Sequence, residues 1–171
     1  ESLINPNLFL QPTANTLCNT EMEEFAKRHV LCLTRKYLIV LSEAILNHIP
    51  YVADQTSVLT SAIDAFQNQQ GVCQDHSHVM IAMCKYLGLP ARYVSGYLFV
   101  PNTSHLASHA WAEVFLENAW YCFDTSNQLF SPNSHIYVAI GRDYWDVAPI
   151  RGVRERGGVE SMHSIVQVLA C

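Results

Sequence analysis

The sequence predicts an α+β fold, in which helices pack on an antiparallel β-sheet. In the first half of the chain, apolar residues recur every three or four positions, which is the period of a helix with one buried face. In the second half, short segments rich in Val, Tyr, Phe and Trp are typical of strands. Because the helices precede the strands instead of alternating with them, the order favours α+β over a parallel α/β architecture.

The composition indicates one globular domain with a large apolar interior. The chain has 171 residues, of which 50% are hydrophobic and 15% charged, and about 150 residues is a usual size for one domain. This composition excludes a disordered chain, and a net charge of -5 excludes the basic surface that nucleic-acid binding requires. We expect residues 1–171 to form a single domain, with an extended lead-in at 1–19, a helical part at 20–90 and a mainly β part at 91–171.

The sequence shows no membrane or secretory segment. No apolar run approaches the roughly 18 residues that a membrane-spanning helix requires, and residues 1–9 lack the cationic start and apolar run of a signal peptide. The six cysteines show neither close pairs nor a CxxC motif, which argues against a disulfide framework and against a zinc site. We therefore expect a cytoplasmic protein with reduced thiols and no membrane partner; a mature secreted form, already trimmed, is the alternative.

The apolar period defines two helices before residue 70. The first begins at a capping box formed by Thr20 and Glu23 and is interrupted near residues 31–34. The second is predicted to begin at Thr56 or Ser57, because either residue type is a good N-cap. The inward face of this second helix is expected to comprise Val58, Ala62, Ala65 and Phe66.

The second half of the chain predicts five strands, two of which form a hairpin. Residues 117–119 are short enough to join the second and third strands by a tight turn. The strands are expected at residues 91–100, 109–116, 120–124, 135–140 and 161–169. A hairpin makes at least this part of the sheet antiparallel.

Cys73 opens a third and strongly apolar helix, residues 73–87, shortly after Gly71. The first N–H groups of a helix lack internal partners, and this end of the helix dipole is positive. A cysteine at this position is therefore suited to react as a thiolate, and the same N–H groups can hold an oxyanion. The alternative is that Cys73 is a small buried apolar residue, as we expect of Cys84 and Cys122.

The predicted hairpin places His109 beside Asp124. His109 opens the strand HAWAEVF, Asp124 ends the following strand WYCFD, and the two lie about equally far from the turn. A carboxylate next to an imidazole fixes its tautomer and stabilises its charged form, which a thiol nucleophile requires of its base. A structural histidine and a turn aspartate are the alternatives. The joint placement of the two residues favours a Cys-His-Asp site.

Other polar residues near these positions have simpler interpretations. Asp75 lies in the first turn of the Cys73 helix, where an acidic residue stabilises the helix end. Arg92 is expected to form a structural ion pair with Asp75 or Glu113. His78 is expected to be a packing residue.

Trp111 is a candidate substrate-binding residue, because it shares a strand face with His109 and would line a cleft there. A position in the hydrophobic core is the alternative. One of Gln67, Gln69 and Gln70 is a candidate for the amide that stabilises an oxyanion, and the sequence does not distinguish among the three.

Four segments of the chain resemble one known family. GVCQDHSHVMIAMCKYLGLPARYVSGYL, SHAWAEVFL, WYCFDTSN and HIYVAIGRDYWDVAPIRGV are similar to the bacterial transglutaminase-like family of cysteine proteases, and the similarity extends from about residue 5 to residue 153. The resemblance implies a papain-like core, in which a helix carries the nucleophile at its N-terminus and packs on an antiparallel sheet. It also implies Cys73 as nucleophile, His109 as general base and then general acid, and Asp124 as the residue that orients His109.

The chain departs from the family pattern at two points. The family usually reads Asp-Pro-Thr-Asn where this chain has Asp124-Thr125-Ser126-Asn127, which alters the turn after the carboxylate without removing it. Relatives usually carry an N-terminal β-rich region that is absent here. We therefore expect a catalytic domain whose partners are a peptide or protein substrate and either a missing β domain or a second copy of the chain.

The expected function is acyl transfer on amide bonds of peptides or proteins, through a thioester on Cys73 and without a cofactor. Hydrolysis is slightly favoured over transfer to an amine, because water is always present. One alternative is a metal-dependent hydrolase, with Cys73, His76 and His78, or His105 and His109, as ligands. The other is a binding module on the same fold that has lost its activity.

Overall fold

The structure, a computed structural model, describes residues 4–53, 56–100, 108–148 and 166. The helices are α1 (Thr20–His29), α2 (Arg35–His48), α3 (Ala62–Asn68), α4 (Cys73–Tyr86) and α5 (Tyr144–Val147). The strands are β1 (Ala91–Leu98), β2 (Ser108–Leu116), β3 (Ala119–Phe123) and β4 (His135–Gly141). These strands form one four-stranded antiparallel sheet in the order β3-β2-β1-β4. The predicted α+β fold is thus confirmed.

The N-cap of the first helix lies one residue earlier than the sequence predicts. The side chain of Asn19 accepts the backbone N–H of Met22 at 2.9 Å, so Asn19 is the N-cap, and Thr20 is already helical. The capping box of Thr20 and Glu23 is therefore wrong, because the preceding asparagine satisfies the free N–H groups first. The predicted interruption is confirmed, since α1 ends at His29 and α2 begins only at Arg35.

The start of α3 also differs from the prediction. Ser61 is its N-cap and exchanges hydrogen bonds with Asp64 in a capping box. Thr56 and Ser57 lie in the turn before the helix, and Val58 is exposed instead of facing inward. The remaining predicted inward positions are confirmed as buried residues: Ala62, Ala65 and Phe66.

The lead-in is less extended than the sequence indicates. Two short 3-10 helices, Pro6–Phe9 and Ala14–Thr16, occupy part of it. The Asn5 side chain caps the first of them, and Pro6 supplies a backbone angle that suits a helix start. Phe9 is buried edge-on against Trp120, so this segment packs on the sheet.

The helix α4 lies at the centre of the molecule. It packs on β1 and β2 on one side and against α1, α2 and α3 on others, which explains why residues 75–85 are all buried. The face of β2 that meets this core alternates as the sequence predicts, and its alanines allow the close approach of a helix. Its residues are Ala110, Ala112, Val114 and Leu116.

The predicted hairpin between β2 and β3 is confirmed. Glu117 and Asn118 form its two-residue turn, with φ angles of 51° and 63°. Positive φ at both turn residues matches the right-handed twist of the flanking strands. The register pairs Ala112 with Phe123, which brings the beginning of β2 beside the residue that follows β3.

Two expectations concern other parts of the chain. The strand predicted at residues 161–169 lies outside the described residues, apart from residue 166. Within the described ranges, no helix combines the length and the apolar character needed to cross a membrane.

Gly96 is the position in the sheet where we expect a methyl group to be most disruptive. A Cβ there would lie 2.0 Å from the carbonyl oxygen of Ile136 and 2.8 Å from the ring of Trp111. We expect Gly96→Ala to lower the free energy of unfolding by clearly more than Gly88→Ala. Gly88 has a φ of +81° but open space around it, so alanine there costs only the ~1–2 kcal/mol of a left-handed conformation.

Urea denaturation of the two variants measures this difference. A Gly96→Ala protein as stable as the Gly88→Ala protein would contradict the close packing of β1 on β4.

Candidate active site

Cys73 is the first residue of α4, and a small hydrogen-bonded turn holds it there. The Oδ2 atom of Asp75 accepts the N–H of Val72 at 2.8 Å and the hydroxyl of Thr56 at 2.7 Å. Gly71 allows this turn, because a Cβ at this position would lie 2.8 Å from Cβ of Asp75. Burial raises the pKa of Asp75, although both hydrogen bonds oppose the shift. Asp75 thus stabilises the start of the helix, as the sequence predicts.

His109 lies between the thiol and the carboxylate that the sequence singled out. Its Nε2 atom lies 2.7 Å from Oδ2 of Asp124. The Cys73 side chain also contributes to raising the pKa of this ring, and since Nε2 faces Asp124, Nδ1 is the ring nitrogen left for the thiol. The side chain of His109 is 11% exposed, whereas that of Asp124 is fully buried. The structure therefore bonds His109 to Asp124 and places Cys73 near the same ring.

Asp124 is a buried carboxylate with an unusually complete set of donors. Its Oδ2 atom also accepts Nε2–H of His135 and the side-chain amide of Asn127, both at 3.0 Å. Its Oδ1 atom accepts the backbone N–H of Asn127 at 3.2 Å. Burial raises the pKa of this carboxyl, but the bonds from His109, His135 and Asn127 outweigh it and hold the pKa well below its usual range. Asp124 is therefore negatively charged.

The charge on Asp124 determines the charge on His109. Burial lowers the pKa of the imidazole, but its hydrogen bonds to Asp124 and Cys73 outweigh burial and raise the pKa from 6.5 to about 9. The ring is therefore protonated at neutral pH, with the carboxylate on one side and the sulfur on the other.

His135 and Asn127 are part of this site, and the sequence did not identify either as such. Asn127 lies in the quoted segment WYCFDTSN, three residues after the carboxylate, which is the usual reach of an Asx-type turn. His135 opens the predicted strand at 135–140, but nothing local to that strand indicates what it faces. It meets Asp124 although β4 pairs with β1, at the opposite edge of the sheet from β3.

Trp111 is a core residue, which is the alternative that the sequence left open to a role in substrate binding. Its ring is fully buried, so it cannot line an open cleft. It stacks on His109 with ring centroids 5.9 Å apart and meets His135 and Tyr137 edge-on. Trp111 therefore supports both histidine rings from within the fold.

A small cleft of about 200 Å³ gives access to His109. It is lined by His109, Tyr51, Ser126 and Asn127. The Ser126 hydroxyl lies 2.7 Å from Nδ1 of His76, whose Nε2 lies 2.7 Å from the carbonyl of Ile49. A carbonyl only accepts, so His76 donates from Nε2 and accepts the Ser126 hydroxyl at Nδ1.

Two further predicted residues, Arg92 and His78, have the roles expected of them. Arg92 forms its ion pair with Glu113, at 2.7 Å, and not with Asp75. His78 is a packing residue that accepts the N–H of Tyr144 at 3.2 Å, and burial lowers its pKa to about 4. These contacts stabilise the scaffold around the site and do not involve Cys73, His109 or Asp124.

The candidates for an oxyanion amide lie in and just after the end of α3. Gln67 and Gln69 are exposed, and Gln70 is half-buried. Gln69 has a φ of 52°, which ends the helix and turns the chain toward Cys73. Which of the three glutamines, if any, stabilises an oxyanion stays a prediction.

The metal ligands considered from the sequence do not come together. Both ring nitrogens of His76 are engaged by Ser126 and Ile49, and His78 bonds to the backbone of α5. Cys73, His76 and His78 are therefore not a ligand set. His105, the other candidate, lies outside the described residues.

In the part of the chain that the structure describes, one group of side chains has metal-like clustering: His109, Asp124 and His135, with ligand atoms within 4.8 Å of one another. The two nitrogens lie 2.7 and 3.0 Å from the same carboxylate oxygen, which are hydrogen-bond distances. Two ligands of one tetrahedral zinc ion lie more than about 3 Å apart, given bonds of ~2.0–2.1 Å. The group therefore fits a hydrogen-bonded carboxylate better than a metal centre.

Comparison with known proteins identifies relatives of this chain. The family model of the transglutaminase-like superfamily matches residues 34–125. An uncharacterized protein of Mycobacterium leprae is 33% identical over 169 residues, which cover 93% of this chain and 59% of the relative. An uncharacterized protein of Mycobacterium bovis is 34% identical over 125 residues, which cover 66% of this chain and 40% of the relative.

Solved structures show the same fold. A candidate cysteine protease from Cytophaga hutchinsonii matches with a TM-score of 0.72 and 30% identity, over 83% of this chain and 48% of the other. The periplasmic domain of TgpA from Pseudomonas aeruginosa matches with a TM-score of 0.55 and 21% identity, over 75% of this chain and 52% of the other. The chain thus spans about half the length of the proteins it resembles.

Proposed function

Because this chain belongs to the transglutaminase-like superfamily, we propose that it is a thiol-dependent acyl-transfer enzyme that acts on amide bonds of peptides or proteins. The observation that carries the proposal is the hydrogen bond between His109 and Asp124, with Cys73 close enough to His109 to contribute to raising the pKa of its ring. All three residues lie within the segment that matches the family, residues 34–125. A thiol, an imidazole and a carboxylate in this order are the parts that covalent acyl transfer requires.

The first half of the proposed reaction forms a thioester. In the proposed reaction Cys73 attacks as the thiolate, while His109, whose pKa of about 9 keeps the ring protonated at neutral pH, holds the proton for the leaving group. The sulfur of Cys73 attacks the amide carbonyl carbon, and the carbonyl oxygen becomes an oxyanion near the free N–H groups at the start of α4. His109 then gives its proton to the nitrogen as the C–N bond breaks, and the amine leaves.

The second half transfers the acyl group. His109 is now neutral and takes a proton from the acceptor as the acceptor attacks the thioester, and Cys73 leaves as the thiolate. Water as acceptor gives a carboxylic acid, and an amine gives a new amide. We favour water, because it is always present and a small cleft reaches His109, and keep transamidation as the alternative outcome.

Alkylation by iodoacetamide at pH 6 tests the proposal without a known substrate. At this pH an ordinary thiol is less than about 1% ionised, whereas a thiol paired with a protonated imidazole reacts readily. We expect Cys73 to be alkylated at least ~10-fold faster than an ordinary thiol. Cys32 is exposed and serves as the ordinary thiol within the same chain. Peptide mass spectrometry measures both rates.

Two results decide this test. His109→Gln should remove the preference for Cys73 while leaving Cys32 unchanged, since only Cys73 contacts the ring. Equal rates for Cys73 and Cys32 in the unsubstituted protein would contradict the proposed enzyme and favour the binding module, whose thiol would react only near pH 8–9.

A further inference from the structure

Asp124 receives two imidazole donors on the same oxygen, and the proposed reaction uses only one of them. Nε2 of His109 lies 2.7 Å from Oδ2, and Nε2 of His135 lies 3.0 Å from the same atom. His109 also reaches Cys73 and the small cleft. The side chain of His135 is fully buried, and among the described residues its one side-chain hydrogen bond is to Asp124.

The second histidine is held in one tautomer. A negatively charged carboxylate only accepts hydrogen bonds, so the proton of a neutral His135 lies on Nε2. Its Nδ1 atom is buried and has no hydrogen-bond partner in the described part of the protein. An unpaired buried nitrogen is unfavourable, so a polar ring at this position is explained by the one bond that it makes, to Asp124.

Packing fixes the direction of that bond. The ring of His135 meets Trp111 edge-on, with centroids 4.7 Å apart, and Trp111 in turn stacks on His109. Strand pairing fixes the backbone, since His135 pairs with Leu98 at the start of β4. The donor therefore comes from a rigid part of the sheet, unlike the amide of Asn127, which lies on an exposed loop residue.

We propose that His135 is a positioning residue, which fixes the rotation of the Asp124 carboxylate so that Oδ2 stays in line with Nε2–H of His109. The inference rests on the proposed function, because alignment matters only if His109 must face Cys73 during acyl transfer. A carboxylate free to rotate would let the imidazole tilt, and misplacement by about 1 Å can cost ~100-fold in rate. His135 touches no substrate in this role.

A matched pair of variants tests the proposal. Methionine and glutamine have similar length and shape, but only glutamine has an N–H donor at the place of Nε2. We expect His135→Met to lower kcat by ~10–100-fold with an unchanged KM, and His135→Gln to recover most of the loss. Peptide-amide turnover measures kcat, and iodoacetamide alkylation of Cys73 at pH 6 serves as the substrate-free readout. His135→Phe is a second variant without a donor, should the methionine protein unfold.

A spectroscopic signal separates this inference from the proposed function. The Nε2 proton of His109, donated to a buried carboxylate, should give a downfield NMR resonance that weakens in His135→Met and returns in His135→Gln. A folded His135→Met protein with an unchanged resonance and unchanged alkylation would overturn the positioning role. If Cys73 of the unsubstituted protein shows no preferential alkylation, the proposed function fails, while the resonance still decides whether His135 positions Asp124.

Discussion

Replacing Cys73 by alanine is expected to abolish acyl transfer, with a loss of about 10⁶-fold in kcat, the scale seen when the nucleophile of a catalytic triad is removed. The reason is that no other described thiol contacts the imidazole of His109: Cys84 and Cys122 are buried, and burial raises the pKa of the Cys122 thiol to about 12. The measurement is mass spectrometry after incubation with a library of peptide amides. The unsubstituted protein should gain the mass of an acyl group on the peptide that contains residue 73.

The exposed Cys32 provides the control for this experiment. Cys32→Ala removes a thiol of the same type outside the site and should leave both acylation and turnover unchanged. Repeating the incubation with added amines identifies the acceptor, and we expect the free acid to exceed the amide product. A Cys73→Ala protein that retained full amide-cleaving activity would rule out the thioester route.

Replacing Asp124 by asparagine is expected to lower kcat by about 10⁴-fold, as loss of the carboxylate does in other triads. Asparagine keeps the shape of the side chain but removes the charge that raises the pKa of His109 to about 9. Burial, which lowers that pKa, is then opposed only by Cys73, so we expect the pKa of His109 to fall and less of the imidazole to be protonated at pH 7. Fewer protons are then available to the leaving amine, and alkylation of Cys73 at pH 6 should slow in parallel.

The same substitution should change how stability depends on pH. Because the pKa of His109 is raised on folding, its bond to Asp124 contributes fully below about pH 6.5, and the contribution is lost as the pH rises through about 9. Urea denaturation should therefore show the unsubstituted protein losing stability between these pH values, and Asp124→Asn lacking this slope. Asp146→Asn, which removes only the partly exposed partner of Arg142, is the control and should keep it. An identical slope in the Asp124→Asn protein would contradict the assigned charges.

The features that the sequence predicted correctly depend on contacts between residues close in the chain. The interruption between α1 and α2, the opening of α4 at Cys73 and the two-residue turn at Glu117 and Asn118 are each specified by a local period or a turn. The hairpin alone brought His109 near Asp124. The errors at the helix starts are also local, since Asn19 and Ser61 compete with neighbouring residues that are equally good caps.

The sequence placed Cys73 near His109 only through resemblance to a family. In the structure, the packing of α4 on the sheet brings the two residues together. The alanines of β2 allow α4 to lie close against the sheet, and the N-terminus of α4 then meets the start of β2. No pattern within either segment specifies that contact. The sequence also left the burial of Trp111 undecided, because strand alternation assigns a residue to one face of the sheet without showing what covers that face.

By itself, the sequence determined the class of the fold, the hairpin that pairs an imidazole with a carboxylate, and a thiol at a helix start. Only the tertiary structure decided that His135 is the second donor to Asp124. Its strand lies beside β1 although β2 and β3 come between them in the chain. Alternating hydrophobicity fixes which face of a strand is buried, but the choice of strand neighbours depends on the free energy of packing the whole sheet, to which residues distant in the chain contribute together.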